Sequence, residues 1–232
     1  MRGHKKFHKL HLYPLCTDMF QIGCQDFQCL TCFLFNGKAK LRTETDFVRA
    51  LKGVRADAAL TLKLNGHTAA ASEGELQFTE FGVSGPAAFE LSRAVSTAEG
   101  EKTLLIDFCR GIPVEELTEL LTARCARFPA LPAEELLTGI LQSRLGKMLV
   151  RRAELTASAA LSTLDAAQLR RVARLVKCCA LRVNGVMGMD QAQVTAGGIC
   201  TAQFRADTLE SRVAPGVFAC GEVLDIDGDC GG

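Results

Sequence analysis

The sequence predicts a mixed fold, α/β plus α+β, in which a β-rich domain is interrupted by a small helical domain. Residues 58–79 have strand-like patterns, residues 113–180 repeat apolar side chains at helical spacing, and strand-like patterns return after residue 180. A short apolar run at 217–222 is typical of a buried strand in a parallel sheet. The chain therefore combines a β-rich domain, an inserted helical domain and a remnant of a second sheet-containing domain.

The composition indicates a globular protein without a strong overall charge. The 232 residues are 48% hydrophobic, which is enough for a sizeable core. Lys and Arg number 27 against 26 Asp and Glu, so no global field attracts nucleic acid or an anionic membrane. No stretch approaches the roughly 20 apolar residues of a membrane span, and the first residues lack a signal-peptide pattern. We expect a cytoplasmic protein with no nucleic-acid or membrane partner.

Residues 1–42 form an atypical lead-in, which we predict to be poorly ordered because it has no clear period of 2 or 3.6. It includes Cys29-x-x-Cys32, whose spacing is that of half a zinc site, but no second pair follows at regular spacing. The later cysteines lie in apolar runs, including Cys178, Cys179 and Cys220, and are interpreted as small buried hydrophobic residues. We predict no metal site.

The first part of the β-rich domain, predicted over 43–112, contains a hairpin. Strand-like residues 58–64 and 67–71 flank Asn65-Gly66, which favours a type I′ turn because both central residues need a positive φ. His67 beside this turn is interpreted as an exposed strand residue rather than a catalytic base. Further strands are predicted at 74–79 and 102–108.

A helix is predicted between those strands, at 87–95. Pro86 suits its first position, since the missing N–H would have no partner inside the helix. The N–H groups at such a start can hold an anion, although a helix start explains the segment without a ligand. Glycine follows Ser84 directly, so the segment is not the Gly-x-Ser-x-Gly motif of hydrolases.

The helical domain is predicted over 113–179, and the β-rich domain resumes over 180–212. Prolines at 129 and 132 separate the first helix from the second. The arginine pairs at 151–152 and 170–171 are interpreted as solvated, because no aromatic residues alternate with them. Apolar side chains recur at spacings of three and four within 114–121, 136–141, 145–149 and 169–176.

The run at 217–220, followed by Gly221-Glu222 and an acidic, glycine-rich stretch, is typical of a parallel strand that presents backbone and a carboxylate to a nucleotide or flavin. Cys230 occupies the position at which a calcium-binding EF-hand loop needs glycine, so no calcium site is predicted. Three aspartates otherwise match the first ligand positions of such a loop: Asp225, Asp227 and Asp229.

Four blocks in the same order resemble the BaiN-like (YhiN-like) NAD(P)/FAD-dependent oxidoreductases, also called the aminoacetone oxidase family of flavoproteins. They are 75–87 (ELQFTEFGVSGPA), 192–199 (AQVTAGGI), 208–211 (TLES) and 215–228 (PGVFACGEVLDIDG). The resemblance extends from about residue 47 to 232. It implies a Rossmann-like FAD-binding domain built from both ends of the chain, a β-barrel-like inserted domain and a helical domain within that insertion. Residues 213–232 would be the remnant of the FAD-binding domain.

The resemblance also implies which residues contact FAD. The loop that meets the flavin ring would be formed by Thr195, Gly197 and Gly198. The ribityl and pyrophosphate groups would be approached by Gly221 and Glu222. A helix with its amino terminus toward the cofactor would follow Asp229, Gly231 and Gly232. No catalytic acid or base is implied.

The chain departs from the family at both ends. The Gly-x-Gly-x-x-Gly motif, whose glycines let the backbone approach the pyrophosphate, does not occur. After Gly231-Gly232 the family continues with Tyr-Asn and a helix, where this chain ends. We therefore expect a fragment that lacks the N-terminal FAD-binding segment and the C-terminal helix and binds FAD weakly or not at all alone.

The activity implied by the resemblance is hydride transfer. NAD(P)H reduces the flavin, which reduces an unsaturated ketone or, in the other direction, oxidises an amine. The identity of the small-molecule substrate does not follow from the sequence. The alternative is a non-enzymatic binding module that retains the inserted domains and is complemented by a separate FAD-domain polypeptide.

Overall fold

The computed structural model describes residues 11–16, 19–23, 30–188 and 194–226. The strands are β1 (His11–Cys16), β2 (Met19–Gly23), β3 (Leu30–Lys38), β4 (Leu41–Thr43), β5 (Arg55–Leu64), β6 (His67–Phe78), β7 (Gly82–Ser84), β8 (Lys102–Asp107), β9 (Cys179–Val186) and β10 (Val194–Ile199). The helices are α1 (Thr45–Ala50), α2 (Pro86–Thr97), α3 (Val114–Arg127), α4 (Ser143–Arg152) and α5 (Ala166–Lys177). Short 3-10 helices lie at Ala133–Glu135, Leu161–Thr163, Thr201–Gln203 and Gly221–Val223.

Six strands close into an antiparallel barrel in the order β4-β7-β6-β5-β8-β9. The barrel has no open edge because β9 pairs back onto β4, with Leu41 opposite Val186. The predicted hairpin joins β5 and β6, and the φ angles of Asn65 (49°) and Gly66 (84°) are both positive, as a type I′ turn requires. The prediction of a β-rich domain interrupted by helices is confirmed.

Helix α2 begins at Pro86, as predicted, and packs against β6 and β3. Its inner face buries Leu91 and Val95. Ser92 on the same face is also buried; its Oγ donates to the carbonyl of Phe89 (2.7 Å) and accepts from the backbone N–H of Ala39 (3.3 Å). The helix therefore holds the short connection between β3 and β4 in place.

The helices α3, α4 and α5 lie between β8 and β9, and α3 packs against α5. The apolar run at 136–141, predicted to be helical, instead forms turns that follow the 3-10 helix Ala133–Glu135. Pro132 precedes this 3-10 helix, and the chain turns at Gly139 (φ 86°). Leu136 and Leu137 are nevertheless fully buried, so spacings of three and four here arise from consecutive tight turns.

A second, antiparallel sheet has the order β1-β2-β3-β10. Its first three strands lie in the segment 1–42, for which the sequence shows no strand period. Long-range pairing supplies the backbone hydrogen bonds there, for example between β3 and β10, where Leu34 lies opposite Gly197. Such pairing leaves no local signal in the sequence.

The predicted buried strand at 217–222 is not a strand. The chain runs irregularly into the 3-10 helix Gly221–Val223, and Phe218 is 64% exposed. A buried parallel strand needs paired neighbours on both sides and helices that cover it. Among the described residues, this run makes one β-bridge, between Glu210 and Phe218. The run is not buried in a sheet, so the expected strand does not support a nucleotide site here. The Rossmann-like remnant stays a prediction.

Candidate functional site

Two of the blocks that carry the predicted cofactor residues lie against each other. Strand β10 pairs with the segment after the last 3-10 helix through a parallel bridge between Ile199 and Leu224. The backbone N–H of Asp225 donates to the carbonyl of Ile199 at 3.0 Å. A Cβ on Gly198 would lie 2.5 Å from the carbonyl carbon of Leu224, so this approach requires glycine. The structure thus joins the described parts of two blocks, 194–199 and 215–226.

A small core lies beneath this contact, separate from the barrel core. It consists of Ile199, Phe204 and Leu224, each between 5 and 6% exposed. Gly221 lies at the surface beside it, with a left-handed φ of 72° and no atom within 4 Å of the place where a Cβ would stand. Bare, exposed backbone of this kind fits the close approach of phosphate or ribityl oxygens that the flavin prediction needs.

The other predicted cofactor residues are placed only in part. Thr195 pairs with Asn36 on β3, and Gly197 lies two residues further along β10. Glu222 lies in the 3-10 helix after Gly221. The roles of these residues stay predictions. Three predicted residues lie outside the described part of the chain: Asp229, Gly231 and Gly232.

One exposed feature beside the barrel, the tip of the β6–β7 hairpin, has no distinguishing pattern in the sequence. This tip is the two residues Glu80 and Phe81, and it is closed by the N–H of Thr79, which donates to the carbonyl of Gly82 at 2.8 Å. A side chain on Gly82 would overlap the carbonyl oxygen of Leu41 on β4. Gly82 is therefore needed for the close packing of β7 against β4. The neighbouring Phe81 is 47% exposed.

A cavity of 220 Å³ lies beside the tip. Its lining comprises Lys40, Lys52, Thr79, Glu80, Phe81 and Met187. Lys52 Nζ lies 2.8 Å from Glu80 Oε2, and this hydrogen bond, with the lysine's charge, lowers the pKa of Glu80. Both groups are substantially exposed, so the pair adds little stability and serves mainly to hold the tip. Phe81 lies in the 75–87 block that resembles the flavoprotein family, but the sequence gives no sign that this one phenylalanine is exposed.

A second cavity of 430 Å³ lies between the barrel and the helical region. At its rim Arg110 pairs with Asp57 and also with Glu73, where Nη1 and Oε2 lie 2.9 Å apart. Because these charges already pair with one another, the cavity is a crevice between packed elements and needs no ligand to account for them. Nearby, Lys177 Nζ donates to Asp107 Oδ2 at 2.6 Å and to the carbonyl of Cys109 at 2.7 Å.

Six cysteines in the range 109–220 are free thiols, and they differ in burial. Cys125 and Cys179 are buried, and desolvation by burial raises the pKa of Cys179 to about 11. Contrary to the sequence interpretation, Cys178 and Cys220 are exposed. Cys178 is exposed because it caps α5, where the chain leaves the helix before entering β9.

Within the described residues no three His, Cys, Asp or Glu side chains come together as a metal site. Three residues of the motifs weighed for metal binding lie outside those residues: Cys29, Asp227 and Asp229. None of the described helices is long and apolar enough to cross a membrane.

Comparison with known proteins identifies the family. Residues 37–194 match the model of the HI0933-like protein barrel and H2TH domain. A 3-dehydro-bile acid delta(4,6)-reductase of Clostridium scindens is 34% identical over 183 residues, covering 78% of this chain and 45% of the relative. Ribosomal RNA dihydrouridine synthases of Haemophilus influenzae and Escherichia coli are 26% and 27% identical, over 82% and 68% of this chain.

The chain spans less than half the length of these relatives, namely 45%, 45% and 38%. The matched family region includes all six barrel strands and the helices between them. The similarity to the reductase extends beyond that region and agrees with the resemblance found in the four sequence blocks. The chain therefore belongs to the HI0933-like family, whose barrel and H2TH domain it contains.

Proposed function

We propose that this chain belongs to a flavin-dependent oxidoreductase that transfers hydride between NAD(P)H, FAD and a small organic substrate, by enone reduction or amine oxidation. The observation that carries the proposal is the backbone contact between Gly198 and Leu224, because it brings two groups of predicted flavin residues together. The reductase relative supports the same class of reaction.

In this proposal the chain's residues bind and orient the cofactor. Gly221 and Glu222 hold the ribityl and pyrophosphate region, where backbone is exposed at Gly221. The strand residues Thr195 and Gly197 face the ring, and the stretch from 229 to 232 leads into a helix start. When bound, FAD supplies the hydride chemistry, with NAD(P)H as electron donor. No side chain is assigned as the catalytic acid or base.

We further propose that the substrate is a small molecule and that the protein acts in the cytoplasm without a nucleic-acid or membrane partner. Two relatives act on ribosomal RNA by their names, but the reductase is the more similar, at 34% against 26% and 27%. The exposed arginines of α5, Arg170 and Arg171, have no aromatic neighbours in the sequence on which bases could stack.

Flavin retention tests this proposal. The purified chain would be mixed with FAD and gel-filtered, alone and together with a separately expressed polypeptide that corresponds to the unmatched part of the Clostridium scindens reductase. We expect little flavin on the chain alone and one FAD per complex in the mixture, with NAD(P)H oxidation. One FAD per chain without the second polypeptide would contradict the weak-binding prediction. Failure of flavin binding in both samples would overturn the proposed function.

The alternative is a binding module without an enzymatic role. It is favoured by one observation: the barrel and helical region share a core that does not need the segment 194–226. A module of this kind would be folded and flavin-free and would associate with a separate FAD-domain polypeptide. Co-elution of the two chains without flavin or NAD(P)H oxidation would support this alternative, whereas the absence of any complex would exclude it.

A further inference from the structure

The hairpin tip presents its aromatic ring from a rigid support. The backbone N–H of Thr43 donates to the carbonyl of Phe81 at 3.0 Å, and Thr79 Oγ1 donates to the carbonyl of Gly82 at 3.0 Å. The ion pair between Lys52 and Glu80 ties the same tip to the turn after α1. Backbone held in this way loses little conformational entropy when a ligand packs against the tip.

The residues next to Phe81 have a structural role in the barrel, whereas the exposed ring of Phe81 has none. Gly82, Val83 and Ser84 are buried in the barrel wall, and Phe78 is 1% exposed in the core. The ring of Phe81 instead lines the 220 Å³ cavity together with Met187. A benzene ring occupies a cavity of about 150 Å³, so this open cavity has room for one ring of a ligand between Phe81 and Met187, with polar side chains around it. The unbranched thioether side chain of Met187 can adjust its shape to a bound ring.

The charges around the cavity favour an anion. The lining has two lysines and one glutamate, and the glutamate is occupied by Lys52 at 2.8 Å. Lys40 is half-buried, and no acidic side chain pairs with it in the described part of the chain. Its ammonium group is therefore the one in this cavity that can pair with a ligand's carboxylate or sulfonate.

The cavity lies where the barrel meets the sheet that contains β10. Lys40 follows β3 by two residues, Met187 follows β9 directly, and the N–H of Met187 donates to the carbonyl of Lys40 at 2.9 Å. Strand β3 pairs with β10 across Gly197 and Gly198. The cavity therefore lies next to the end of β3, the strand that pairs with the predicted flavin-contact strand.

We propose that this cavity binds the oxidoreductase substrate, and that the substrate class is a planar, apolar molecule bearing an anionic group. The ring system of the ligand packs against Phe81 and contacts the flexible side chain of Met187, and Lys40 pairs with its anionic group. The assignment of the ligand as substrate rests on the proposed function, whereas the binding site itself does not.

Binding can be measured without flavin. The probe is 8-anilino-1-naphthalenesulfonate, an apolar aromatic anion that fluoresces in apolar surroundings, titrated into the full chain with the planar anion 2-naphthoate as competitor. The chain has no Trp and one Tyr, so protein fluorescence interferes little. Phe81→Ala is compared with Phe218→Ala and Phe128→Ala, which remove rings that are 64% and 40% exposed elsewhere. Circular dichroism checks that each variant is folded.

We expect binding that 2-naphthoate displaces, that weakens about tenfold in Phe81→Ala, is restored by Phe81→Leu and is unchanged in both control variants. Lys40→Met should weaken binding of the sulfonate dye but not of the neutral dye Nile red. Equal affinity in wild type and Phe81→Ala, or loss in Phe218→Ala instead, would overturn the site. If dye binding behaves as expected while the flavin experiment fails, the proposed function falls and the binding site stands.

Discussion

At the scale of single residues, the two adjacent cysteines at the junction of α5 and β9 show how backbone direction sets chemical character. Cys178 ends the helix and is exposed, while Cys179 begins the strand and is fully buried. Burial disfavours the charged thiolate, which raises the pKa of Cys179 from its ordinary value of 9.0 to about 11. The two thiols should therefore differ in reactivity despite being neighbours.

We predict that ionisation of Cys179 weakens the fold at alkaline pH. The folded pKa lies above the unfolded one, so the stabilisation is complete below pH 9 and is lost as pH rises toward 11. Urea unfolding across this range should show a smaller alkaline loss of stability in Cys179→Ala than in wild type. Cys178→Ala is the matched control and should follow the wild-type curve. An identical alkaline loss in both variants would contradict the prediction.

At the scale of elements, α5 links the helical region to the barrel and has a local start signal. Asp165 Oδ1 accepts from the N–H of Gln168 at 2.7 Å, and Gln168 Oε1 accepts from the N–H of Asp165 at 2.9 Å. This reciprocal cap satisfies two backbone donors at the helix start. The helix then packs against α3, β8 and β9.

Removal of this cap should be measurable. We expect Asp165→Ala to lower the free energy of unfolding by about 1 kcal/mol, because one N-terminal N–H loses its acceptor. Glu99→Ala, in an exposed loop, is the control and should change stability by less than about 0.5 kcal/mol. Urea denaturation provides both values. No difference between the two variants would show that the cap contributes little to α5.

The same elements show what local patterns can predict. The hairpin at Asn65-Gly66 and the helix start at Pro86 were predictable because each depends on the conformation of a few neighbouring residues. The run at 136–141 was not, because tight turns and a helix both produce spacings of three and four. The strands of 1–42 were missed for another reason, namely that their partners are distant in sequence.

At the scale of the molecule, the barrel and the helical region share one apolar core. Leu62 of β5 and Leu121 of α3 are both fully buried in it. Backbone and charge contacts also join the two parts: the N–H of Phe108 donates to the carbonyl of Val176 at 2.9 Å, and Lys177 pairs with Asp107 at 2.6 Å. We infer that these parts unfold together.

Two core truncations test this cooperativity. Leu62→Ala in the barrel and Leu121→Ala in the helical region should each cost about 2–5 kcal/mol, since both leave a cavity in a packed interior. We expect each variant to shift a single urea transition that is the same by far-ultraviolet circular dichroism and by elution volume in size-exclusion chromatography. Separate transitions, with Leu121→Ala affecting only the helical signal, would show two independent units.

The sequence by itself determined the turn and helix-start chemistry, the alternation of β-rich and helical regions and the family, since these follow from short stretches of residues. Only the tertiary structure decided that β9 closes the barrel onto β4 and that Gly198 meets Leu224. It also brought Lys40, Phe81 and Met187 to one cavity and left Phe218 and Gly221 at the surface. The physical reason is range: turns and caps depend on neighbours along the chain, whereas closure, close approach and exposure depend on residues that only folding brings together.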